Sequence, residues 1–177
     1  NFNIGIKELE KLVKNYFDDD GFPLTRNPSD LIFFLKYLIL CKKCIEDAQQ
    51  YVPEFLDIII DKNLICIKNI LTPNDQVPLF NGGTEHNLEH FNKFLTDLDY
   101  KSKDKRNIIG GIHTFAIKNS AIFFDVGEPP KKGFSKSYQS GPLSFEYYLD
   151  GEKIITNCGF GSNISSKAEL LSRLTSA

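Results

Sequence analysis

The sequence predicts an α+β fold with its helices first and its antiparallel strands second. Three observations carry that expectation. Apolar residues recur at helical spacing through the first hundred positions, and short β-rich runs separated by turn residues follow from about position 111. Between them lies a polar, charge-rich connector, Tyr100-Lys101-Ser102-Lys103-Asp104-Lys105-Arg106, which predicts a boundary dividing the chain into 1–99 and 100–177.

The first helix is expected over residues 4–17, where Ile6, Leu9, Leu12, Val13, Tyr16 and Phe17 share a face. Asp18-Asp19-Asp20-Gly21-Phe22-Pro23 ends it, because glycine and proline punctuate and the aspartates prefer water. A second helix starts after Asn27, an N-cap residue followed by Pro28 in the first turn, and runs to about Gln49. Its Leu31–Leu35 stretch is apolar nearly all round, which predicts burial between neighbouring helices. Pro53 opens a third helix with Phe55, Leu56, Ile59, Ile60, Leu64, Ile67 and Ile70 inward. Thr72-Pro73-Asn74-Asp75 is a turn, and Val77–Gly83 an extended segment ending at a glycine corner. A shorter helix is expected from Glu85 to Leu98. Four strands follow, at Gly111–Lys118, Ala121–Val126, Leu143–Leu149 and Lys153–Asn157. Lys118-Asn119-Ser120 and Asp150-Gly151 supply hairpin turns, and a long loop runs from Gly127 to Pro142.

Composition narrows the function classes. The chain of 177 residues carries a formal net charge of −2 with both signs interspersed, so no basic stripe points to nucleic acid. Its most apolar stretch, Leu31 to Cys41, is broken by Lys36 and falls short of the roughly 20 residues that span a bilayer. The chain starts at Asn1 and contains no methionine, and its last residues close no strand; an internal piece of a larger protein is the expectation, with the flanking segments of its own chain as partners.

Of the four cysteines, Cys41 and Cys44 form a C-x-x-C pair inside a helix instead of at a helix N-terminus, where thiols are activated. Cys66 and Cys158 stand alone, so buried, unlinked thiols are expected rather than a redox or zinc site. His86 and His90 have the i, i+4 spacing of metal ligands but no evident third ligand, and a solvated face is expected. Gly110-Gly111 leads into a strand, not a helix, and gives no support to nucleotide binding.

Three segments, in order, resemble the heparinase II/III family of polysaccharide lyases. Asp20-Gly21-Phe22-Pro23-Leu24-Thr25-Arg26-Asn27-Pro28 resembles the D-G-G-x-x-S-R-N-P stretch before a long helix of that family's α/α toroid. Val77-Pro78-Leu79-Phe80-Asn81-Gly82-Gly83 is similar to a short extended element near the toroid's end. Asp125–Pro130, then Ser140-Gly141-Pro142-Leu143-Ser144-Phe145-Glu146 and Asn157-Cys158-Gly159, resemble the opening of its β-sandwich, where relatives carry A-H-A-G-x-L-S-F-E and V-N-C-G. The resemblance implies helical hairpins from an incomplete α/α toroid in 1–99 and the first strands of an antiparallel β-sandwich in 100–177. It implies a bacterial protein, periplasmic or cytoplasmic, acting on an acidic polysaccharide or oligosaccharide; no cofactor is expected.

Such lyases break a glycosidic bond beside a uronic acid by β-elimination. The C5 proton becomes acidic only when donors such as Asn, Gln, His or Arg neutralise the adjacent carboxylate, and a base and an acid must then move protons. Arg26 and Asn27, just before a helix, suit carboxylate binding, and Asn81 joins them as a substrate-binding position. Asn27 serves equally as a plain N-cap, and Arg26 as a bridge between the two parts. Gln139 stands where relatives show the histidine of A-H-A-G, preceded by Tyr138, a possible proton donor; these two are the catalytic candidates. Asp30 and Leu31 replace a Tyr-His pair of related lyases, and Asn157 replaces an aspartate that helps bind metal in some, so no metal is expected. Those departures keep open a second function, a catalytically degenerate carbohydrate-binding protein that retains the fold. A helical-repeat interaction module fused to a sandwich is a third. Glu146, alternating with apolar neighbours, is expected to form a structural ion pair.

Overall fold

The structure is a computed structural model, which describes residues 2–72, 74–85, 88–100, 106–139, 141 and 143–174. Helix α1 spans Phe2–Tyr16, α2 Pro28–Asp47, α3 Glu54–Ile70 and α4 Glu89–Asp97. Strands β1 (Ile108–Ile109), β2 (Ile112–Ile117), β3 (Ser120–Asp125), β4 (Phe145–Leu149) and β5 (Glu152–Ile155) form one antiparallel sheet in sequential order. A last helix, α5, covers Ser166–Leu174. The α+β class and the order of its elements stand as the sequence predicts. β1 and α5 are additions to it, and α4 starts at Glu89 instead of Glu85.

Local chemistry accounts for the boundaries. Asn27, extended at φ −89° and ψ 117°, accepts the Ser29 amide on its side chain and so caps α2, with Pro28 in the first turn. Asp150 and Gly151 take φ of 50° and 84°, the paired positive values that a tight hairpin between β4 and β5 needs.

One continuous apolar cluster joins helices and sheet. Phe22, Leu31, Leu35, Leu56, Ile60 and Ile70 pack with Ile109, Ile112, Phe123 and Tyr148. The alternation in β3 is strict: Ala121, Phe123 and Asp125 face inward, opposite Tyr148 and Glu146 of β4 and Ile112 of β2. The other face stays apolar but open, with Phe115, Ile117, Phe145, Leu149 and Ile155 exposed.

Two burial expectations need correction. Helix α2 is not buried all round, because Phe33 and Tyr37 are about half exposed, at 55% and 51%. Cys66 is buried as expected, whereas Cys41, Cys44 and Cys158 are exposed; the first two lie on the outward side of α2. No described helix is long and apolar enough to cross a membrane.

Candidate functional site

The site forms where the loop between α1 and α2 meets the sheet. Asp18 folds that loop, its Oδ1 accepting from the amides of Asp20 (3.0 Å) and Phe22 (2.7 Å). Arg26 then takes a left-handed backbone conformation, φ 57°, and sends its side chain across to the strands. Nε donates to the Gly110 carbonyl (3.2 Å), Nη1 to that of Glu128 (3.0 Å), and Nη2 to that of Gly111 (3.2 Å) and to Asp125 Oδ1. The ion pair is almost dry, with the Asp125 side chain 1% exposed. Glycine makes the slot possible: a Cβ on Gly127 would lie 2.5 Å from Arg26 Cζ, and one on Gly111 2.5 Å from Nη2. Gly110 sits as tightly over the Phe22 ring.

The Val77–Gly83 segment runs between this lock and the following loop. Asn81, also left-handed at φ 53° and buried, donates through Nδ2 to the Arg26 carbonyl and to Asp125 Oδ2, each at 3.1 Å. The next residue, Gly82, donates its amide to Gln139 Oε1 at 3.3 Å and packs against Ser137, where a Cβ would meet the serine's own at 2.5 Å. Gln139 is buried, and its Nε2 donates to the Gly159 carbonyl. Arg26 and Gln139 therefore meet through Asn81-Gly82, not across an open groove.

Glu146 pins the same segment from the sheet. The side chain is fully buried, and its oxygens accept from the Leu79 amide (3.0 Å), the Asn157 amide (3.1 Å), Tyr148 Oη (2.7 Å) and Thr156 Oγ1 (3.3 Å). The expected ion pair is thus absent among the described residues. A carboxylate at the core can be held by converging neutral donors, which need less desolvation than an ammonium or guanidinium would. Burial and the Glu146 charge push the Tyr148 hydroxyl pKa upward. The cavity beside Gln139, Asn81 and Asn157 measures about 120 Å³, room for a few water molecules.

Tyr138 differs from its neighbours. Its hydroxyl is buried and has no hydrogen-bond partner, a state shared among the described residues only by Asn63 Oδ1 and Gln76 Oε1. Burial, then the Asp125 carboxylate, raises its pKa, and Arg26 pulls the other way, so it lies within reach of the buried ion pair's field. Asn27 is buried as the α2 cap. His90 is exposed, and His86 lies outside the described residues. No group of three or more His, Cys, Asp or Glu among the described residues could hold a metal ion.

Residues 107–177 match the family described as Heparinase II/III-like, C-terminal. That match takes in the sheet and α5 but less than half of the chain. The fold beyond those residues agrees. A heparan sulfate lyase from Pedobacter heparinus superposes with a TM-score of 0.76 at 16% identity, over 97% of this chain and 31% of that one. A heparinase III superposes at 0.73 and 15% identity, covering 97% of this chain and 33% of its own. A heparinase III with methylated lysines gives 0.74 at 16%, over 96% and 30%. The chain spans about a third of the length of these lyases. No curated protein matches the sequence.

Asp125 and Glu146 are the residues that sequence reasoning undervalued. Both lie within quoted motifs, and strand parity places each on the buried side of its strand with Phe123 or Tyr148, a visible signal that a carboxylate was going inward.

Proposed function

We propose that the chain is part of a heparinase II/III-like polysaccharide lyase that cleaves an acidic polysaccharide by β-elimination next to a uronic acid. Residues 1–99 are read as the end of an α/α toroid and 100–177 as the start of a β-sandwich, whose second sheet would cover the open apolar face. The family match of 107–177 supports this reading, as does the likeness in fold to lyases of heparan sulfate.

The observation that carries the chemistry is the unpartnered hydroxyl of Tyr138 beside the Arg26–Asp125 pair. A buried phenol without a partner is the group left to exchange a proton with a departing sugar oxygen or with C5. Gln139 fixes the turn that carries it. Arg26 and Asn81 bear on the substrate mainly by holding the wall, since their donors are largely engaged within the protein, and Asn27 does so by capping α2 through its side-chain oxygen.

One observation favours the second reading, a carbohydrate-binding protein that kept the fold and lost catalysis. Both ends of the Gln139 amide are bonded to backbone, so it offers a substrate carboxylate only one remaining N–H. The whole protein carrying this chain, incubated with heparan sulfate, alginate and related uronans, separates the two. Elimination generates the ultraviolet absorbance of an unsaturated uronate, and Tyr138→Phe should lower that rate by about 10²–10⁴-fold. Binding without absorbance establishes the degenerate reading instead.

A further inference from the structure

A second cavity, of about 280 Å³, opens on the other side of the Arg26 slot. Its walls come from three places: Asp18 and Leu24 of the α1–α2 loop, Gly110-Gly111 before β2, and the loop carrying Glu128, Lys131 and Phe134. Ligand pockets begin at roughly 300 Å³, so the space suits a single small ring.

The groups facing it are specific in kind. Arg26 is nine-tenths buried and lines the cavity with its guanidinium; four of its five N–H donors are used internally, and the fifth, on Nη1, is not. Asp18 spends Oδ1 on two backbone amides, while Oδ2 has no hydrogen-bond partner among the described residues. The Phe134 ring, held edge-on by Tyr16 at 5.7 Å, supplies a flat apolar surface. One donor, one acceptor and one aromatic face are what a pyranose needs, with its hydroxyls at the rim and a C–H surface on each side.

Charge decides which pyranose. Arg26 is already neutralised by Asp125, and of the remaining lining charges Lys131 is offset by Asp18 and Glu128. An anion finds no surplus of positive charge here and meets a bare carboxylate oxygen. We propose that this cavity is a binding site for an uncharged pyranose unit, distinct from any position that would hold a uronate. The inference takes from the proposed function only that the ligand is a saccharide, and elimination chemistry is not needed for it.

The test is ligand-observed and protein-observed NMR titration of the protein with methyl β-glucopyranoside and, separately, methyl β-glucuronide. The neutral glycoside should bind at millimolar order, shifting amides of 110–111 and 127–134, and the glucuronide at least about tenfold more weakly. Asp18→Asn keeps an oxygen for the two loop amides, and Phe134→Ala removes only an edge contact. Each should weaken the neutral glycoside about tenfold with the circular dichroism unchanged. Equal or tighter binding of the glucuronide overturns the proposal, as does failure of the neutral glycoside to shift these amides, or indifference to both substitutions. A protein that shows no lyase activity yet gives the expected titration disproves elimination and leaves this site standing.

Discussion

Replacing Arg26 by methionine tests whether the helices and the sheet are joined by one buried charge pair. Methionine keeps most of the side-chain length and apolar stem but removes every donor. Four acceptors then lose a donor: the carbonyls of Gly110, Gly111 and Glu128, and the Asp125 carboxylate, although the Gly111 carbonyl keeps the Val126 amide at 2.8 Å. Asp125 keeps the Asn81 amide at 3.1 Å and the Gly127 amide at 3.3 Å, but its charge is left unmatched at 1% exposure. Removing one member of a buried pair costs about 3–5 kcal/mol. For a chain of 177 residues that corresponds to a fall in Tm of about 6–20 °C. Urea and thermal unfolding followed by far-ultraviolet circular dichroism would read both quantities, and the sequence, without tryptophan, leaves dichroism as the cleaner probe. Adding Asp125→Asn should restore part of the loss, because the stranded charge disappears, giving a coupling of about 1–3 kcal/mol between the two sites. A single-variant loss below about 1 kcal/mol, or strict additivity in the double variant, would refute the claim that this pair holds the two parts together.

Glu146→Gln presents an amide N–H₂ where backbone and hydroxyl donors converge; we expect a loss of about 2–4 kcal/mol in urea unfolding and faster amide exchange at Leu79. Thiol labelling near neutral pH should modify Cys41, Cys44 and Cys158 and spare Cys66, whose thiol burial pushes up in pKa and whose Sγ bonds the Asp20 carbonyl; Cys66 should react only as the chain unfolds. Burial and the adjacent Asp30 push the Tyr16 hydroxyl up to about 12 from its ordinary 10.0. Its folded pKa exceeds its unfolded one, so the stability tied to its neutral form is complete below pH 10 and is lost as pH rises through about 12, which denaturant midpoints across that window would show.

Much of the fold was legible because its signals are local. The Asn27-Pro28 start, the Asp150-Gly151 turn and the period-two pattern of β3 each need only a few neighbouring residues. β1 escaped because two residues carry no period, and α5 because Leu170 and Leu171 are exposed, which leaves no inward stripe to read. The apolar run of α2 misled for a related reason: composition announces apolarity but not whether a neighbour covers Phe33 and Tyr37. At the site, sequence reasoning saw that Arg26 suits a carboxylate. The carboxylate it meets belongs to the chain itself, 99 residues away at Asp125, and no spacing rule links positions so distant.

That internal pairing changes where chemistry should be sought. A side chain whose donors and acceptors are all matched inside the protein gains little by turning to a ligand, because any new bond replaces one of equal strength. Asn81, whose amide hydrogens are both bonded, and Glu146, with converging donors, therefore form the frame. Groups that can act are those the frame leaves unmatched. Asn63 Oδ1 sits on α3, on a side chain whose amide already holds the Gly21 carbonyl, and Gln76 Oε1 lies at the end of the Thr72–Gln76 turn. The Tyr138 hydroxyl lies in the field of the Arg26–Asp125 pair. An unpaired buried hydroxyl destabilises the fold that keeps it, so Tyr138→Phe should leave stability unchanged or raise it while removing a function, the pattern that separates a working group from a structural one.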